Sequence, residues 1–143
     1  MENNRINIYS DGGARGNPGP AAIGAVIGDK KFNKAIGETT NNDAEYQAVL
    51  FALENARKLL GKQKAKQSEL IMHVDSELLY KQVRGEYKIK NEVIQQHFIN
   101  FWNAKQDFKS VTVKHVPREQ NKEADALVNE ALDSPSKNTG SLL

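Results

Sequence analysis

The order of apolar segments along the chain is the feature that most limits its fold. Residues 5–10 alternate as a strand does and run into Asp11, and residues 23–27 and 31–36 predict a hairpin with a turn at 28–30. Between the first two strands lies GGARGNPGPAA, whose glycines and prolines predict a loop without regular structure. Three strands therefore precede any helix, which favours an antiparallel start to the sheet.

From residue 43 onward, helix-like and strand-like segments alternate. The first helix has alanine and leucine at helical spacing, Asn42 or Asp43 as its N-cap and Gly61 as its end; the next has Asp75 or Ser76 as its cap. This alternation after three strands predicts an α/β fold, a mixed sheet with helices on its faces. The predicted helices are 43–60, 76–84, 91–104 and 121–132, and the predicted strands 70–74 and 111–115.

Length and composition restrict the class of protein. A chain of 143 residues with 38% hydrophobic and 27% charged residues is typical of one globular domain. There is no cysteine, which excludes disulfides and thiolate metal sites, and no apolar run or signal-peptide core for a membrane. We expect a cytoplasmic protein with a domain over residues 1–133, a flexible C-terminal tail over 134–143 and no preceding module.

Positive charge is concentrated in the middle of the chain. Residues 56–90 contain nine basic and four acidic side chains, whereas the segments on either side are slightly acidic. Such a cluster can neutralise nucleic-acid phosphates, but a solvated helix end and loop has the same composition. Both interpretations stay open. The basic residues are Arg57, Lys58, Lys62, Lys64, Lys66, Lys81, Arg84, Lys88 and Lys90.

Four carboxylates lie at the ends of predicted elements. Asp11 and Asp75 each end a strand, Glu45 lies in the first turn of a helix, and Asp125 lies near the start of the last helix. Each has an ordinary explanation, as a turn or cap residue or as a partner of the helix dipole. If they converge, their repulsion calls for a divalent cation, and an oxygen-only site favours magnesium or manganese.

Four segments carry a family resemblance. The segments YSDGGARGNPGPAAIGAVI, TTNNDAEYQAVLFAL, HVDSELLYKQV and VPREQNKEADALVNEAL resemble type 1 ribonuclease H. The match extends from Ile6 to Leu132, and the motifs look closest to the compact archaeal-like and plant-like branch. The resemblance implies a five-stranded mixed sheet in the order 3-2-1-4-5 with flanking helices. It also implies that the protein hydrolyses the RNA strand of an RNA–DNA hybrid with the help of two magnesium ions. The products would have 5′-phosphate and 3′-hydroxyl ends.

The same resemblance implies roles for individual residues. Asp11, Glu45, Asp75 and Asp125 match the catalytic, metal-binding carboxylates, while His115 and Arg118 compete equally for one auxiliary catalytic role. His73 is expected to serve packing and His97 to lie on the surface. The positions that match contacts to RNA 2′-hydroxyls, and to a DNA phosphate at Thr40, are Gly12, Gly13, Asn17, Thr40, Asn41 and Asn42.

Three departures from the family pattern concern the grip on substrate. Glu38 stands where many bacterial members have a phosphate-binding arginine, Glu77 replaces a common glutamine, and the Trp-rich basic protrusion is missing between Leu79 and Asn91. Four basic residues would replace the protrusion in part, namely Lys81, Arg84, Lys88 and Lys90. We therefore expect hybrid binding to be weaker and more salt-sensitive than in members that have the protrusion.

Rival functions have distinct signatures. A catalytically weak binding domain of the same fold would lack a carboxylate, a DNA nuclease of the wider superfamily would lack the GNPGP and TTNN elements, and a small-molecule enzyme would carry a phosphate loop. The chain has all four carboxylates and both the GNPGP and TTNN elements, and it has no phosphate loop. We therefore expect an RNA–DNA hybrid as partner, a monomer, and neither a membrane nor an obligate protein partner.

Overall fold

Five strands form one mixed sheet in the computed structural model, which describes residues 4–134. The sheet order is β3-β2-β1-β4-β5, as the resemblance implied. The first three strands are antiparallel neighbours, and β4 and β5 run parallel to β1. The strands are β1 (Arg5–Ala14), β2 (Gly19–Ile27), β3 (Lys30–Thr39), β4 (Glu69–Val74) and β5 (Ser110–His115).

Helices cover the sheet on two faces. The helices are α1 (Asn41–Leu60), α2 (Lys62–Lys66), α3 (Glu77–Val83), α4 (Glu92–Lys105) and α5 (Lys122–Asp133), with a 3-10 turn at Arg118–Gln120. Both α1 and α5 pack against β1 and β2, and eight of the nine residues of β2 are buried. Because successive strand residues point to opposite faces, such burial requires a cover on each face. No helix within residues 4–134 is long and apolar enough to cross a membrane.

The first two strands are longer than the sequence predicts. Residues 12–14 and 19–22 were expected in a loop, but Gly12 pairs with Ile23, Gly13 with Ala22 and Ala14 with Ala21. The loop prediction was wrong there because glycine, although unfavourable in a strand, is tolerated where another backbone approaches closely. Only residues 15–18 connect the two strands.

Helix ends agree in part with the predictions. Ser76 caps α3 by accepting from the Leu79 N–H at 3.1 Å, and Gly61 ends α1 with a φ of 79°. The N-cap of α1 is Thr40, whose hydroxyl accepts from the Asp43 N–H at 3.2 Å, so the predictions of Asn42 and Asp43 were wrong. The short α2 was not predicted. The expected domain over residues 1–133 stays a prediction, as does the expected tail, of which 135–143 lie outside the described residues.

Helix α1 lies very close to the sheet at Gly12. A Cβ atom built on Gly12 would lie 2.1 Å from the carbonyl oxygen of Ala44. Ala44 is fully buried, and small residues continue along the same side of the helix at Ala48 and Ala52. The helix therefore lies on the sheet with backbone against backbone at this point, and no side chain fits between them.

We expect Gly12→Ala to lower the free energy of unfolding by about 3 kcal/mol or more, because the new methyl group would displace helix backbone. Gly13→Ala is the matched control, since its added Cβ would meet only a Val128 methyl group at 3.9 Å. That variant should stay within about 1 kcal/mol of the wild type in urea unfolding. Equal losses in the two variants would contradict the packing argument.

Candidate active site

Three carboxylates from distant parts of the chain meet where β4 ends beside the central strand β1. Asp11 belongs to β1, Asp75 directly follows the neighbouring parallel strand β4, and Glu45 lies in the first two turns of α1. One oxygen from each of them lies within 4.8 Å of the others. The convergence that the sequence pattern left open is therefore present for these three residues.

Backbone and amide groups hold two of the three carboxylates in place. The Gly12 N–H donates to Glu45 Oε1 at 2.8 Å. Asn121, only 1% exposed, donates from Nδ2 to the Ser10 carbonyl at 2.9 Å and to Asp75 Oδ2 at 3.0 Å. The Asn121 side chain thereby joins the middle of β1 to Asp75 and makes no cap for the helix that it precedes. Its role was missed, since the sequence placed it only at a helix start.

The cluster is electrostatically unfavourable when all its members are ionised. Burial raises the pKa of Asp11, and the negative charges of Glu45, Asp75 and Asp125 raise it further. Burial also raises the pKa of Glu45, although hydrogen bonds from Asp11 and Gly12 oppose the rise. Carboxylates gathered in this way, with oxygen as the only donor type, are suited to a hard divalent cation.

A cleft of about 480 Å³ contains the cluster. Asp125 lies outside the 4.8 Å cluster but lines this cleft, as does Arg118, whose positive charge lowers the pKa of Glu45. His115 is not a lining residue; its exposed ring rests against Tyr80 at a centroid distance of 5.7 Å. Other residues of the lining are Gly12, Gly13, Asn41, Asn42, Leu78 and Asn129.

The residues expected to contact substrate form a connected rim. Asn41 Oδ1 accepts from the Ala14 N–H at 2.8 Å, and the Asn41 N–H donates to Asn17 Oδ1 at 3.0 Å. Asn17 and Thr40 also line a second groove of about 420 Å³ together with Asn91 at the start of α4. The first turn of α1 is thus shared between the carboxylate cleft and this second groove, which we call the Thr40 groove.

The two remaining histidines differ from each other. His73 stacks on Tyr9 at a centroid distance of 4.3 Å, which agrees with a packing role. His97 was expected on the surface, and that was wrong: its side chain is 15% exposed, and Nε2 lies 2.6 Å from Asp43 Oδ1. Asp43 itself was taken only as a cap. Burial acts to raise its pKa, but hydrogen bonds from His97, Thr39 and Gln47 outweigh burial and lower it.

Two of the basic residues near α3 are already paired. Lys81 Nζ lies 3.1 Å from Glu77 Oε2, and Arg84 Nε lies 2.9 Å from Glu86 Oε2. Lys88 and Lys90 form no ion pair with any residue of 4–134. The positive charge with no acidic partner in this region therefore lies in the segment just before α4.

Comparison with known proteins identifies the family. The family described as reverse transcriptase-like matches residues 9–131. The ribonuclease HI of Halobacterium salinarum is 37% identical over 135 residues, which cover 90% of this chain and 65% of that protein. A bifunctional protein of Mycobacterium tuberculosis is 33% identical over 140 residues, covering 93% of this chain but 37% of that protein. The chain therefore spans only part of the length of these curated relatives.

A solved structure resembles the chain over its whole fold. LC11-RNase H1, determined in complex with an RNA/DNA hybrid, is 43% identical and superimposes with a TM-score of 0.85. The match covers 91% of this chain and 98% of that one. The chain belongs to the type 1 ribonuclease H family.

The raised pKa values of Asp11 and Glu45 predict how stability without metal depends on pH. Because the folded chain holds these protons more tightly than the unfolded chain, their contribution is complete below about pH 4 and is lost as pH rises toward the raised values. In a chelating buffer near pH 8, we expect Asp11→Asn to be more stable than the wild type by about 1–3 kcal/mol.

Urea unfolding at several pH values measures this difference, which should shrink toward pH 4. Asp29→Asn, in the exposed hairpin turn, is the control and should show no such trend. If Asp11→Asn is less stable than the wild type near pH 8, repulsion among the carboxylates does not destabilise the folded chain.

Proposed function

We propose that this protein is an endonuclease that hydrolyses the RNA strand of RNA–DNA hybrids and leaves 5′-phosphate and 3′-hydroxyl ends. The observation that carries the proposal is the convergence of Asp11, Glu45 and Asp75 within 4.8 Å in a member of this family. A hybrid bound to LC11-RNase H1 supports the choice of substrate. We also propose that it acts in the cytoplasm as a monomer, and the lack of cysteine fits such a reducing compartment.

The four carboxylates fit magnesium, with manganese as a substitute. All donors are oxygens, the ligand type that these cations prefer, and burial beside other carboxylates raises the pKa values of Asp11 and Glu45. We propose that Asp11, Glu45 and Asp75 would hold one ion and that Asp11 and Asp125 would hold the other. The bound ions would supply activation of the attacking water and stabilisation of the leaving 3′ oxygen.

The remaining cleft residues would bind and orient the hybrid. Asn41 and Asn42, and the backbone at Gly13, border the cleft and offer hydrogen-bonding groups to RNA 2′-hydroxyls. The Gly12 N–H is already used by Glu45, so its contribution is to position that carboxylate. Between the two auxiliary candidates, we favour Arg118, because it lines the cleft while the His115 ring lies against Tyr80.

Cleavage assays test the proposal directly. With magnesium, we expect the protein to cut a labelled RNA–DNA hybrid and to leave double-stranded RNA and DNA intact. Asp11→Asn should lower the cleavage rate at least about a hundredfold, because a carboxylate proposed to take part in holding both metal ions is lost. Asp29→Asn, the same change in an exposed turn, should retain full activity.

The outcomes separate the rival functions. Hybrid binding without cleavage would indicate a binding domain of the same fold, and cleavage of duplex DNA would indicate a DNA nuclease. Cleavage of hybrid at full rate by Asp11→Asn would refute the metal assignment.

We further propose that Lys88 and Lys90 supply the charge that grips the hybrid. Each phosphate neutralised by a lysine releases counterions, so removal of one contact lowers the salt slope of binding by about 1. We expect Lys88→Gln to show this loss in binding measured from about 50 to 200 mM salt. Lys81→Gln is the matched control and should change the slope less, because Lys81 is already paired with Glu77. Equal changes in both variants would contradict this assignment.

A further inference from the structure

We infer that His97 is a positioning residue for substrate binding, because it fixes the width of the Thr40 groove. This inference rests on the proposed function. His97 lies on α4, and its Nε2 atom contacts Asp43 Oδ1 at 2.6 Å across to α1. Asp43 lines the Thr40 groove, whose opposite wall includes Asn91 and Val93 at the start of α4. The His97–Asp43 contact therefore ties one wall of the groove to the other.

Asp43 is the centre of a small network of hydrogen bonds. Its Oδ2 atom accepts from Thr39 Oγ1 at 2.8 Å and from Gln47 Nε2 at 2.6 Å. Both of these donors come from within four residues of Asp43, whereas among residues 4–134 His97 is the one side-chain donor from a distant element, 54 residues away. The local donors fix the aspartate within its own segment, whereas His97 fixes that segment relative to α4.

The connection reaches the residues that contact substrate. Thr40 caps α1 through the Asp43 N–H, and the next residue, Asn41, bonds to both Asn17 and Ala14. A shift of the Asp43 side chain would therefore be transmitted to Thr40 and Asn41 and so to the rim of both grooves. Thr40 and Asn41 are among the residues expected to contact substrate, so substrate binding is what a change at His97 would affect.

A second contact of His97 leads to the basic segment. Its ring stacks on Tyr46 with centroids 6.1 Å apart and planes at 16°. The Tyr46 hydroxyl donates to Gln82 Oε1 at 2.8 Å, and Gln82 Nε2 donates to the Lys88 carbonyl at 3.1 Å. Because Tyr46 and Gln82 are buried, this chain of contacts holds the Lys88 backbone to the same helix that carries Asp43. His97 thus contacts both Asp43, beside Thr40, and Tyr46, which is linked to Lys88. It lines neither the carboxylate cleft nor the Thr40 groove.

Two substitutions at His97 separate its hydrogen bond from its packing. His97→Phe keeps a ring against Tyr46 and removes the donor to Asp43, whereas His97→Gln keeps a donor near the position of Nε2. We expect His97→Phe to raise KM for hybrid about 3- to 10-fold with kcat within about twofold of the wild type, the loss that one hydrogen bond produces. His97→Gln should restore most of the binding. Gln96→Ala, which removes a hydrogen bond made within α4 to Asn100, should change neither constant.

Equal effects of the two His97 substitutions, on stability alone, would overturn the inference. If His97→Phe and His97→Gln lower thermal stability alike with KM unchanged, His97 has only a structural role. Should His97→Phe fail to fold, Asp43→Asn weakens the same contact from the other side without removing the ring, because a neutral acceptor binds less strongly. An unchanged KM in that variant would also refute the inference. A wild-type protein that neither binds nor cuts hybrid refutes the proposed function instead, so the two failures are distinguishable.

Discussion

The backbone contact between β1 and the start of α1 determines where the rest of the site lies. Gly12 lies directly against the Ala44 carbonyl, and its N–H is bonded to the next residue of the helix, Glu45. One residue before Gly12 is Asp11, so strand and helix bring their carboxylates together at the point where they touch. Because Gly12 has no side chain, the carboxyl groups of Asp11 and Glu45 can lie close together. Their proximity has an electrostatic cost that a bound cation would offset.

Much of the fold could be predicted from the sequence because periodicity reports burial. The sequence of strands and helices along the chain follows from alternating and helical patterns, whereas the sheet order 3-2-1-4-5 came from the resemblance. The failures have physical causes. Gly12, Gly13 and Gly19 suggested a loop, but tertiary packing of α1 and α5 on the sheet overrides their weak strand preference. A helix of five residues such as α2 has too few residues for a periodic signal.

The site could be predicted residue by residue only where a residue type matched a motif. The carboxylates were found in that way, and the structure adds that Asp125 stands apart from the other three. Supporting residues carry no such signal. Asn121 resembles an ordinary cap, and His97 belongs to a helix that also exposes Val93, Ile99 and Trp102. Their partners, Asp75 and Asp43, are 46 and 54 residues away, and one sequence contains no record of such pairings.

The buried amide of Asn121 also has a consequence for how the molecule matures. It connects Ser10 and Asp75 to the beginning of α5, across sequence separations of 111 and 46 residues. Asp75 gains this amide partner only when α5 has docked on the sheet, however early β1, β4 and α1 assemble. A chain in which α5 has not docked therefore has Asp75 without the hydrogen bond that joins it to β1.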